Sequence, residues 1–313
     1  MQEIRLSSFA KINLSIDVKG VMDSGMHEVD MVMQQISFHD DVNVSYEKNG
    51  KPGDKIRIEL TTNRPYLPTD ERNTAYKAAE LMIQKYGHKM PGGVIKIDVT
   101  KRIPVAAGMA GGSGNGAAVL HALNVLWNLK LSLKELCSIG SEIGSDVPFC
   151  VMGQARANYV LPKYIRKDEL AVSCARATGT GTDMEPVKGL NRFLVIAKPS
   201  ISVSTAQVYR GIDNCEITKR PDNDRLVSDL KNYRYEDLYR NFVNVLEQYT
   251  LEAYPEVKEL KKVIIDLDAG PVTLMSGSGP TVFAVCDSID KARAASNALR
   301  KLRYEAYWTR TTK

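Results

Sequence analysis

The chain has 313 residues, 43% apolar and 25% charged, with a net charge of +5. That length supports two domains and a core that needs no staples. The mild positive charge allows an anionic substrate but, without a dense Lys/Arg stripe, gives no footing for a nucleic-acid partner.

The first segment, "IRLSSFAKINLSIDVKG", alternates apolar and polar residues as a half-buried strand does. Lys11 and Asn13 stand two apart on one face of it, so Lys11 is either on the wet face or held by a partner. A turn at Asp23-Ser24-Gly25 leads to a second strand, "VDMVMQQISFHDDVNVSYE", and "DKIRIELTT" reads as a third. "NTAYKAAELMIQKYG" has helical periodicity, with Asn73 as N-cap and Gly87 as its stop. "GVIKIDVTKRIP" is a strand feeding "PVAAGMAGGSGNGAA", and its Lys101-Arg102 pair reads as a solvated face.

A helix is expected from near Ser113 through "AAVLHALNVLWNL". A second follows at "SLKELCSIGSEIG", opened by a Ser132/Glu135 capping box. "SDVPFCVMG" is expected to leave that helix through Pro148 as an apolar strand, which puts Asp146 at a helix C-terminus. The dipole disfavours an acid there. Such misfits often mark function, although a turn-forming Asp is the plain alternative. Beyond a polar and basic stretch and a "GTGTD" turn, "RFLVIAKPS" is a buried strand and "STAQVYRGI" a helix capped by Ser204 or Thr205. A helical region broken at Pro255 follows, then strand, glycine turn and strand in "VTLMSGSGPTVFAVC". A last helix and strand complete an α+β sandwich. Five scattered cysteines without a CxxC pair read as reduced thiols, and the four histidines lack metal-ligand spacing, so no metal site is expected. With no secretory leader and no membrane-length apolar run, a cytoplasmic protein is expected.

The run from Pro104 to Ala118 holds five glycines and no charge. A strand entering a glycine loop that opens onto a helix is the arrangement of a phosphate cradle. "GSGNGA" also fits a dinucleotide fingerprint, but a second helix follows where that motif needs a strand, and no G-K-[ST] closes a Walker loop. A tight structural turn is the third reading, set against the cost of so many glycines.

"AKINLSIDV…GMHE", the glycine run, "IGSDVPF" and "LMSGSGPTVFAV", in that order over nearly the whole chain, resemble the GHMP small-molecule kinases. The first and third are similar to the branch acting on a cytidine diphosphate-linked methylerythritol in non-mevalonate isoprenoid biosynthesis (MEP pathway). The resemblance implies an α+β, two-domain GHMP kinase-like fold. Residues 1–160 would form an N-terminal ATP-binding α/β domain, and 161–313 a C-terminal ferredoxin-like α/β sandwich. It implies ATP and Mg²⁺, with Asp146 as base and Lys11 beside it as the catalytic pair. ATP would meet Pro104, Ala106, Ala107, Gly108, Ala110, Gly111, Gly112, Ser113, Gly114 and Asn115, with Asn73 near adenine. Asn13, Met26, His27, Thr205 and Tyr209 would bind the small-molecule substrate, Tyr209 by stacking on cytosine, and the "SGSGP" turn would close the site. A kinase for another alcohol, homoserine or mevalonate-like, and a catalytically silent nucleotide-binding protein are the alternatives. Monomer and homodimer are both open.

Three departures from the family pattern carry expectations. Met26 replaces a Tyr, giving a soft thioether wall. Gly114 lacks the usual hydroxyl, and Gly114 with Gly116 should loosen the helix start and weaken ATP binding. The stretch from 157 to 176 reads as an insertion.

Overall fold

The computed structural model describes residues 2–313. The chain forms two compact units, each assembled from separated segments. One comprises the chain to Ala10, Phe38–Val105 and Ala110–Ser173; the other comprises Lys11–Ser37, Ala106–Met109 and Cys174–Lys313. A single cut near residue 160 does not describe them. Two long strands, β1 (Gln2–Val21) and β2 (His27–Pro52), each contribute one half to each unit.

In the first unit, β3 (Ile56–Thr62) lies parallel to β4 (Pro91–Thr100), and β4 runs antiparallel to the second half of β2. Parallel neighbours need a crossover, supplied by α1 (Thr74–Tyr86). Its Ala75, Ala78, Ala79 and Met82 form one buried stripe. Asn73 caps it by accepting from the Ala75 N–H at 3.0 Å. After β4 and the glycine run come α2 (Gly111–Leu126), α3 (Leu133–Ser141), α4 (Val147–Ala157) and the single turn α5 (Lys163–Arg166). The uncharged sequence of α2 is buried at every position from Gly114 to Asn124, as an all-round apolar helix must be. The Ser132/Glu135 capping box at α3 is present in full.

"SDVPFCVMG" is helical, not a strand. Pro148 is pre-organised for a first helical turn, and Val147–Ala155 is buried throughout. A continuous apolar run of that length has no period to separate strand from helix. Asp146 consequently occupies the N-cap position of α4, the favourable end of the dipole for an acid. α2 opens at Gly111, two residues before the expected Ser113.

In the second unit, β5 (Cys174–Thr178) pairs with Met31–Gln34 of β2 and with β6 (Asp183–Pro186). The "GTGTD" turn joins them, with Gly179 and Gly181 at φ +64° and +87°. The supposed insertion therefore holds α5 and most of β5. Next come β7 (Phe193–Lys198), α6 (Thr205–Ile212), α7 (Asn223–Asn232), α8 (Tyr235–Leu238), α9 (Glu247–Ala253) and α10 (Pro255–Asp266). β8 (Val272–Met275), β9 (Val282–Cys286), α11 (Ile289–Lys301) and β10 (Glu305–Arg310) end the chain. The sheet order is β10-β7-β9-β8 with every neighbour antiparallel. That is the β-α-β-β-α-β ferredoxin-like arrangement, and β9 at its centre is wholly buried. Among the described residues no two cysteines form a disulfide. Burial pushes the Cys137 thiol up to about 12 and Cys286 up to about 11, which leaves both as thiols rather than nucleophiles. Among the described residues no helix is long and apolar enough to cross a membrane.

Candidate active site

The glycine run turns on three residues in the left-handed region: Ala106 (φ +51°), Gly108 (φ +68°) and Ala110 (φ +54°). Alternating handedness is the general way in which successive amides are turned toward a common side to make an anion-binding nest. Ala110 is the N-cap of α2 and offers no side-chain cap. The first helical bond to Ala110 comes from the Gly114 N–H, at 2.8 Å. The opening amides of Gly111, Gly112 and Ser113 are thus left for an acceptor outside the helix. Pro104 precedes the turn, half-buried, and Ala107 is buried within it.

Gly114 and Gly116 serve close packing of this helix. Both lie inside α2, where a Cβ at Gly114 would stand 2.6 Å from Ser8 Oγ and one at Gly116 would stand 3.0 Å from Thr74 Cγ2. They let β1 and α1 approach the helix backbone closely, and Gln154 of α4 donates to the Gly114 carbonyl at 2.7 Å. The space of the hydroxyl missing at Gly114 borders the Ser8 hydroxyl.

Lys101 is buried, not a solvated face, and is ion-paired with the fully buried Asp40. Its neighbour Arg102 does lie at the surface, on Asp41 at 2.6 Å. Asn115 is also buried, and its side chain is committed to Ser8, Asp40 and Lys101. Asn73 spends its amide on the α1 cap and on the Pro68 carbonyl at 2.8 Å.

In the second unit the remaining predicted residues form a chain of contacts. The Lys11 backbone N–H donates to the Met109 carbonyl at 3.1 Å, tying β1 to the glycine run. Lys11 Nζ donates to Asn13 Oδ1 at 2.7 Å, and both residues are buried. Of the two options for Lys11, it is the held one. Ser276 Oγ donates to the Gly108 carbonyl at 3.0 Å, and a Cβ at Gly108 would stand 2.3 Å from the Ser276 carbonyl oxygen. Only glycine fits there, on both handedness and space. Ser278, in the same turn, shares a 2.9 Å hydrogen bond with Thr205 Oγ1 at the start of α6. One turn on, the half-buried Tyr209 ring lies 4.9 Å from the His27 ring. Met26, beside His27, is 51% exposed.

Sequence reasoning missed two residues here. Asp213, one turn beyond Tyr209, accepts from His27 Nε2 at 2.8 Å, which leaves Nδ1 as the other polar atom of the ring. Its i+4 spacing from Tyr209 was the available signal. Asn244 donates to the carbonyls of Met275 and Gly277 at 2.9 and 2.8 Å and so shapes the "SGSGP" turn; no local pattern announces it. Asp146 belongs to the first unit and Lys11 to the second. Asp146 is half-buried, and its carboxylate does not cap α4.

Comparison with known proteins identifies the family. Residues 73–154 match the family model for the GHMP kinases N terminal domain, and residues 227–305 match that for the GHMP kinases C terminal domain. The chain is 40% identical to the 4-diphosphocytidyl-2-C-methyl-D-erythritol kinase of Alkaliphilus metalliredigens (strain QYMF), over 94% of this chain and 92% of that one. It is 39% identical to the enzyme of the same name from Clostridioides difficile (strain 630), over 98% and 95%. The crystal structure of a 4-(cytidine 5'-diphospho)-2C-methyl-D-erythritol kinase superposes with a TM-score of 0.76 at 26% identity, covering 99% of this chain and 100% of that one. The homoserine kinase of Cytophaga hutchinsonii ATCC 33406 shares the fold, with a TM-score of 0.67 at 19% identity over 100% and 95% of the two chains. The chain belongs to the GHMP kinases and, among them, to the 4-diphosphocytidyl-2-C-methyl-D-erythritol kinase family.

Proposed function

We propose that this chain transfers the γ-phosphoryl group of ATP to the 2-hydroxyl of 4-diphosphocytidyl-2-C-methyl-D-erythritol, in the cytoplasm, as a step of isoprenoid synthesis. The observation that carries the phosphate side is the left-handed turn at Ala106, Gly108 and Ala110 running into the uncapped start of α2. Backbone amides and the dipole there hold the phosphates. The substrate hydroxyl oxygen bonds to the γ-phosphorus while the bond to the β,γ-bridging oxygen breaks, so ADP leaves. Asp146 accepts the hydroxyl proton, and Lys11, oriented by Asn13, offsets charge on the moving phosphoryl group. Mg²⁺, when bound, would neutralise phosphate charge, and the Ser113 hydroxyl in the first turn of α2 would suit such a hard ion. Tyr209 stacks on the cytosine and His27, fixed by Asp213, reads its edge.

An ADP-release assay against the cytidine-linked alcohol, homoserine and mevalonate tests this reading. Turnover is expected with the first alone, and turnover with one of the others instead would reassign the substrate. Asp146→Asn should cut kcat by about 10²–10⁴-fold with ATP affinity intact; a wild-type rate would remove Asp146 as the base. Tyr209→Ala should weaken substrate binding by roughly 1–3 kcal/mol, visible in the KM for the alcohol.

A further inference from the structure

Asp40 lies within β2, buried and far in sequence from the glycine run. Its carboxylate accepts four hydrogen bonds. Oδ1 takes the backbone N–H groups of Arg102 at 2.7 Å and Ile103 at 2.8 Å; Oδ2 takes Asn115 Nδ2 at 3.0 Å and Lys101 Nζ. That fills the capacity of a carboxylate. Asn115 uses both its donors and one acceptor site: its other amide hydrogen goes to Ser8 Oγ at 3.0 Å, and its Oδ1 accepts from Lys101 Nζ at 3.1 Å. Asn63 holds the Lys101 backbone from the other side, accepting its N–H at 2.8 Å and donating to its carbonyl at 3.3 Å.

The donors to Asp40 have a telling distribution. Arg102 and Ile103 are the last residues before Pro104, where the glycine run begins. Asn115 lies inside the run, one turn into α2. Gly111, at the mouth of the helix, leaves room for the ammonium, since a Cβ there would stand 3.1 Å from Lys101 Nζ. One buried carboxylate therefore fixes both the chain entering the run and the start of the helix that the run opens. A buried ion pair is a poor source of stability compared with apolar packing, and its best-attested use is to set register.

We propose that Asp40, with Lys101 and Asn115, is a positioning clamp that sets the spacing between Pro104 and the first turn of α2, and through it the affinity for the triphosphate of ATP. The clamp rests on the reading of that helix start as the phosphate cradle. Asp40→Asn removes the charge, and Asn115→Ala cuts the tie to α2 while keeping the ion pair. Val119→Ala, deeper in α2, controls for a general loss of stability. The readouts are the KM for ATP, the KM for the alcohol, kcat and Tm. Both clamp variants should raise the KM for ATP by between about 10- and 100-fold and leave the KM for the alcohol unchanged, while Val119→Ala leaves both unchanged. If Asn115→Ala folds and keeps the wild-type KM for ATP, the clamp is refuted, whether or not Asp40→Asn folds. An equal rise in Val119→Ala would refute it too, since the effect would then be general. Gly112→Val crowds the amides directly and separates the two ideas. If Gly112→Val raises the KM for ATP and Asn115→Ala does not, the clamp alone fails. If Gly112→Val has no effect, the cradle itself is elsewhere.

Discussion

The starts of α2 and α3 lie in one unit and are built in opposite ways. At α3, Ser132 and Glu135 satisfy the helix's own first amides, and the Ser132 hydrogen bonds hold the Glu135 carboxyl below its ordinary range. At α2 the cap is Ala110, in the left-handed region and without a side-chain acceptor. Below that start the helix is packed backbone-close on Ser8 and Thr74. A helix end that completes itself is a structural joint. One that spends glycines to stay open, above a rigid buried base, is arranged for something that arrives from outside.

The largest effect should come from the approach to α2. Gly108→Ala forces a Cβ to within 2.3 Å of the Ser276 carbonyl oxygen and 2.9 Å of the Gly279 carbonyl oxygen. A loss of about 10²-fold or more in kcat/KM for ATP is expected, and steady-state kinetics that stayed near wild type would break the contrast outright. Next is acid sensitivity along α2. His121 is buried; desolvation drops its pKa to about 4, opposed by the Val151 carbonyl that accepts from its Nε2 at 2.9 Å. The unfolded chain takes up that proton near pH 6.5, so stability is whole above that pH and falls as the pH drops toward 4, by roughly 3 kcal/mol in all. Denaturant titrations at several pH values should show this slope, and His121→Gln should flatten it. Gly114→Ala should cost about 1–3 kcal/mol through overpacking on Ser8. Ser8→Ala in the same chain should restore most of the loss, and a failure to do so would place the strain elsewhere. Smallest is Ser132→Ala at α3: about 1 kcal/mol of stability, read by thermal melting, with both KM values and kcat unmoved. A kinetic change there would erase the distinction between the two helix starts.

What the sequence made legible follows the range of the interactions. Ser132 and Glu135 are three residues apart, and Asn73 caps its own helix; local chemistry of this kind reads directly. Alternating strands and the order of elements in the C-terminal half also came through. α4 did not, because nine consecutive buried residues carry no period. α7 was overlooked because its polar sequence hides two buried leucines, Leu226 and Leu230, and the buried Asp229 held by Arg225 and Arg234. The same limit acted in the site. Lys101 looked like a surface charge because Asp40, 61 residues away, was invisible as its partner. Gly114 and Gly116 looked loose because Ser8 and Thr74 were not known to be pressed against them. Lys11, Asn13, His27, Thr205 and Tyr209 were named through family motifs, whereas the contacts of Asp213 and Asn244 exist only in the folded chain.

A helix start that offers only peptide groups is blind to which base hangs on the far end of a nucleotide. If the proposed cradle is right, amides at Gly111, Gly112 and Ser113 recognise the charge and shape of a phosphate chain and nothing more. Inorganic tripolyphosphate should therefore compete for this place, and discrimination among purine and pyrimidine triphosphates has to be exercised by other parts of the protein.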